Sequence, residues 1–72
     1  MQLQHANDVE IDLNADGYEQ IRFVCLEKVK GGKVVLSANV TELKMKQSRC
    51  VVLDVAKVER LELIGGNHEY NG

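Results

Sequence analysis

The stretches VVLSANVTELKM (34–45) and VVLDVAKVERLEL (51–63) carry one pattern of apolar and polar positions twice in close succession. VVLSA matches VVLDV at an offset of 17, and after one extra residue VTELKM matches VERLEL at an offset of 18. A weaker third copy precedes them, with VEIDL (9–13) and IRFVCL (21–26) as its halves. Each copy reads as a strand, a corner holding a small residue or Asn, and a second strand. What recurs is the apolar pattern, while the polar identities change, so the repeat marks a structural unit and not a duplicated site.

The pieces are strand-sized. VEIDL, IRFVCL, VVLSA, VTELKM, CVVLDV and VERLELI are separated by NADG, KGGK, Asn39, KQSR, Ala56-Lys57 and Gly65-Gly66. Short apolar runs punctuated by Gly, Asn and Asp indicate a mainly β domain. Val9, Ile11 and Leu13 alternate with Glu10 and Asp12, Leu43 and Met45 with Glu42, Lys44 and Lys46, and Leu61 and Leu63 with Arg60 and Glu62, the period of half-buried strands. The unbroken VVL runs at 34–36 and 51–53 suit central strands covered on both faces, or an oligomer interface.

One segment reads two ways. In DGYEQIRFVCLEKVKGG, Asp16 and Glu19 have capping-box spacing, apolar residues fall at 18, 21, 25 and 29, and Gly31 suits a helix C-terminus. Against a helix stand β-branched Ile21, Val24 and Val29 with Phe23, and a Gly-Gly pair that suits a two-residue hairpin turn. The favoured fold is therefore a small antiparallel sheet or barrel of about six short strands. The alternatives are an α+β fold with one helix near 17–30 and a short β-solenoid. A solenoid needs at least three repeats and protected ends, which favours pairing with a second copy. The expected organisation is a flexible tail at 1–8, one compact domain at 9–66 and a flexible tail, NHEYNG, at 67–72.

Composition narrows the class. The chain of 72 residues is 44% apolar and 28% charged, too apolar for a disordered chain and short enough that its core is small. Three aromatics, Tyr18, Phe23 and Tyr70, leave the core to Val, Leu and Ile and give little material for stacking bases. No apolar run reaches the length of a bilayer span, and MQLQHANDVE lacks the pattern of a secretory leader, so a cytoplasmic protein is the expectation. Cys25 and Cys50 each lie in an apolar run and are expected as buried free thiols.

The net charge of −2 hides a segregation: −5 over residues 1–27, +5 over 28–49 and −2 over 50–72. The middle segment clusters its cations at two turns, Lys28, Lys30 and Lys33 around KGGK and Lys44, Lys46 and Arg49 around KQSR. A meander, a solenoid and a helix-capped sheet all bring those turns to one end, with Asp16, Asn39, Asp54 and Lys57 at the other. Backbone N–H groups of Gly31 and Gly32, with Lys30, Lys33, Lys46 and Arg49, form the candidate contact for an anion or a partner. Lysines beside strand ends also protect sheet edges, which is the competing explanation.

Chemistry is sparse. Cys25, Cys50, His5 and His68 show no ligand spacing for zinc and no Cys-His catalytic order, and KGGK lacks the context of a phosphate-binding loop. Asp8, Glu10 and Asp12 on one strand face suit solvation more than a calcium site. No enzyme, metal or cofactor is expected. RCVVLDVAKVERLE resembles the central strand of an anti-sigma-factor-antagonist (STAS) domain over about one fifth of the chain, and the remainder is too short for that fold. GYEQIRFVC followed by a Gly turn resembles the Rho-binding antiterminators, small Sm-like barrels that bind a transcription-termination factor, through Tyr18, Ile21, Phe23 and Cys25. The chain lacks room for one hairpin of that family, so neither resemblance assigns a partner. The expectation is a non-catalytic interaction module that binds a protein partner or forms a homo-oligomer. The alternative is an RNA- or anion-binding regulator that uses the basic turns.

Overall fold

The computed structural model describes residues 1–66 and the backbone of 69–71. Eight strands follow one another: β1 (Gln2–Gln4), β2 (Asn7–Asp12), β3 (Phe23–Glu27), β4 (Lys30–Val35), β5 (Glu42–Lys46), β6 (Arg49–Leu53), β7 (Arg60–Ile64) and β8 (Glu69–Asn71), with one 3₁₀ turn at Val55–Lys57. The odd strands form one four-stranded sheet and the even strands another, in the orders β1-β3-β5-β7 and β2-β4-β6-β8. Every described strand pair is parallel. The fold is a short β-solenoid of about three turns. Each rung is an odd strand, a tight corner, an even strand and a wide loop to the next rung.

The antiparallel arrangement is therefore corrected. Strand length and alternation are the same in both arrangements, and only partner order separates them. The repeated apolar pattern arises because each copy lies on the one before: Val24 on Leu43 and then Leu61, Leu26 on Met45 and then Leu63, Ile11 on Val34 and then Val52. Such like-on-like columns fill a narrow interior lined by Leu13, Val24, Leu26, Val29, Val34, Leu36, Val40, Leu43, Met45, Cys50 and Val52, with no aromatic among them. Of the two cysteines expected inside, Cys50 is buried and Cys25 only half-buried on the outer face of β3.

The helix alternative near 17–30 is also overturned. Val24 and Leu26 are buried while Phe23, Cys25 and Glu27 face outward, a period of two that no helix satisfies. Glu19 caps no helix, and its carboxylate accepts the Gly17 N–H instead (3.2 and 3.1 Å). Residues 1–8, expected as a tail, supply β1 and the start of β2, because Leu3 and Ala6 pack against the core. In the stretch 67–72, Glu69–Asn71 form β8 on β6, and residues 67, 68 and 72 lie outside the described residues.

The repeat in the even sheet is shifted by one from the sequence alignment. Val34 stacks on Val52 and not on Val51. A slip of one residue exchanges inside for outside, and only this register puts Val34 and Val52 both in the core. With that shift both sheets pair at one offset of 18 and the second copy has no extra residue; the irregularity lies instead inside β4, as a bulge between Lys30 and Lys33. β2 carries the same bulge, with Asp8 (φ 52) on Gly31 (φ 76), whereas β6 runs straight from Arg49 through Val51. KGGK is thus a bulged strand segment and not a hairpin turn. A side-chain methyl at Gly32 (φ 84) would overlap the Val9 carbonyl oxygen, so this position requires glycine.

Two kinds of corner close each rung. In the wide loops one N–H to C=O turn recurs, from Ile21 to Tyr18 (3.1 Å), Val40 to Ser37 (3.2 Å) and Val58 to Val55 (3.0 Å). In the tight corners His5, Lys28 and Gln47 all take left-handed backbone (φ 53, 53 and 48). Their N–H groups donate to Glu27, Lys46 and Ile64 carbonyls of the following rung at 3.0, 2.9 and 2.8 Å, so the corners stack in one column. The residue after each turns inward. Ser48, the polar member of that inner column, is fully buried, and its hydroxyl accepts the Val29 N–H (3.2 Å) and lies 3.0 Å from the Lys46 carbonyl.

Candidate functional site

The tight corner presents a basic surface. Past the left-handed column the chain turns outward again at Asn7, Lys30 and Arg49, which are register partners on β2, β4 and β6. Together with His5, Lys28, Gln47 and Gly66 they line an open hollow of about 510 Å³. Among the described residues three of its side chains are cationic and none is a carboxylate. Lys28, Lys30, Gln47 and Arg49 are all exposed, so the charges address solvent.

The expected set of contacts divides. Lys30 and Arg49 come together as expected from the solenoid reading, in which KGGK and KQSR occupy the same corner. Gly31 and Gly32 lie within the β4 bulge against Asp8 and Val9 and form no turn for an anion. Lys33 faces out of the even sheet opposite Glu10. It also assists Asp12, whose carboxyl is held below its ordinary range chiefly by hydrogen bonds from the Asn14 N–H and side-chain amide. Lys46 lies on the outer face of the odd sheet, 3.5 Å from the Glu27 carboxylate. Lys33 and Lys46 thus leave the site, while His5, Asn7, Lys28 and Gln47 join it. The signal for the latter was spacing: Lys28 and Gln47 are separated by the same interval as Lys30 and Arg49, and His5 and Lys28 by the same interval as Asn7 and Lys30.

The second surface is the open end of the stack. β7 is an edge strand and exposed along its whole length. Leu61 and Leu63 continue the core columns of Leu43 and Met45, yet they are 43% and 37% exposed. Inward-facing leucines of this kind are core residues without a complete cover.

The remaining chemistry-bearing residues do not converge. Cys25 faces outward from β3 and Cys50 inward from β6, so the two thiols address opposite sides of the wall. Burial pushes the Cys50 thiol pKa up, which suppresses thiolate chemistry. His68 lies outside the described residues. Among the described residues no group of three or more His, Cys, Asp or Glu side chains is placed to hold a metal ion, and no helix is long and apolar enough to cross a membrane. Asp54 and Lys57, expected at the end opposite the basic turns, line a shallow hollow at the wide corner with Asn14 and Ser37.

Comparison with protein-family models, with curated proteins and with solved structures finds no match to this chain. The functional reading rests on the geometry.

Proposed function

We propose that the chain is a non-catalytic interaction module that self-associates through the β7 edge. The observation that supports this reading is the exposure of Leu61 and Leu63 at positions that are fully covered in the preceding rungs. Covering the exposed two-fifths of such a leucine contributes roughly 0.6–1.2 kcal/mol, scaled from full burial, and pairing of the two β7 edges adds to it.

The favoured partner geometry is tail to tail. A head-to-tail stack joins unlike ends and continues from copy to copy, whereas a twofold contact uses one patch on both subunits and closes on itself. Two β7 strands meeting antiparallel about a twofold axis make such a closed contact. With Leu61 opposite its own copy, Arg60 falls opposite Glu62 of the partner subunit, and the symmetry makes that pair twice.

Light scattering during size-exclusion chromatography tests the reading. The expected mass is twice the chain's 8.1 kDa, falling to the single-chain value in Leu61→Lys/Leu63→Lys. A wild-type chain that stays monomeric and folded at high micromolar concentration contradicts it.

A further inference from the structure

The outer faces of the two sheets bring five pairs of charged side chains into register among the described residues. Four are opposite in sign: Glu10 with Lys33, Glu27 with Lys46, Glu42 with Arg60, and Lys44 with Glu62. The fifth, Lys30 with Arg49, is like-charged. Like charges directly opposite one another disfavour strand pairing, and Lys28 adds a third cation to the same hollow. Edge protection does not explain the arrangement. β4 is an interior strand, flanked by β2 and β6 at Lys30, and has no free edge there to guard; β6 in turn carries β8 from Val51 onward. In the other four charged pairs opposite signs face each other; at Lys30 and Arg49 the compensation is left to something outside the described residues.

The surroundings define what that is. The cations occupy two neighbouring rungs, about 4.8 Å apart. Among the described residues the first rung adds His5 and Asn7 and the fourth adds Gly66, so their cations span two rungs. No Phe, Tyr or Trp among the described residues lines the hollow and His5 supplies its one ring, which leaves little base stacking as a source of affinity. Its volume of about 510 Å³ falls within the range of small-molecule sites. The Arg49 guanidinium supplies the planar fork that suits phosphate oxygens, and the lysines supply point charges on either side. We propose that the tight corner binds a compact anion carrying two or three adjacent phosphate groups, with Lys28, Lys30 and Arg49 as its charge partners and the amides of Asn7 and Gln47 as hydrogen-bond donors. This site is independent of the β7 contact.

The test is titration of the isotopically labelled chain with tripolyphosphate, followed by amide chemical shifts at near-physiological salt. The expected result is saturable one-to-one binding that moves residues 28–30 and 47–49, at least tenfold weakened in Lys30→Gln/Arg49→Gln. The unchanged amide spectrum of that variant away from the corner verifies its fold. A nucleoside triphosphate arm separates the sources of the group: equal affinity assigns the phosphates alone, and tighter binding assigns a nucleotide. Shifts spread evenly over Lys33, Lys44 and Lys57, or no saturation, would overturn the site. Equal affinity for citrate would overturn the phosphate assignment, and equal affinity for a single-stranded oligonucleotide would overturn the compact ligand.

Discussion

Gly31 and Gly32 are adjacent, both have positive φ, and their environments differ. A methyl at Gly31 meets the Asp8 carboxylate, the far end of a side chain that can move, whereas at Gly32 it meets the backbone of Val9. Gly31→Ala is therefore expected to cost about 1–2 kcal/mol, the ordinary penalty for a left-handed non-glycine residue. Gly32→Ala adds a backbone clash and is expected to cost about 2–5 kcal/mol. Denaturant unfolding of the two variants checks the order, and equal losses would contradict the bulge geometry. At this scale the sequence was informative about the need for glycine and misleading about the reason. A Gly-Gly pair between lysines satisfies a hairpin turn and a bulge equally well, and what decides is the strand lying next to it, which local sequence does not specify.

For the strands, alternation was legible wherever one face is apolar, as in Val9, Ile11 and Leu13 or Leu43 and Met45. Direction was not, because a strand has the same period beside a parallel or an antiparallel neighbour. The uninterrupted VVL runs also conceal which residue faces inward, so a match by sequence lies one residue away from the register in which Val34 and Val52 share the core. The two cysteines report this inside-outside pattern in solution. Cys25 is half-buried on the outer wall, and Cys50 is buried with a raised thiol pKa. A thiol-reactive disulfide reagent is expected to titrate one thiol in the native chain and the second only on unfolding. Comparable rates for both would place β3 or β6 in the wrong register.

The whole molecule is a stack whose long-range order comes from one repeated rung, so its charge layout has to be read along the columns and not along the chain. The cations of the +5 middle segment, expected at one end, lie on three surfaces: Lys44 and Lys46 opposite Glu62 and Glu27, Lys33 opposite Glu10, and Lys28, Lys30 and Arg49 at the corner. Which cations remain uncompensated depends on who stands one rung above or below, and that information exists only once the register is fixed.

The Lys30–Arg49 pair therefore tests fold and site together. Lys30→Glu and Arg49→Glu each convert the like-charged rung into an opposite pair, while the double variant restores like charges. Thermal or denaturant unfolding at low salt should show both single variants more stable than wild type, the double variant less stable than the sum of the two, and a coupling of about 0.5–1 kcal/mol that fades as salt is added. Strictly additive effects would mean that the two side chains do not share a column, and would contradict the parallel solenoid register.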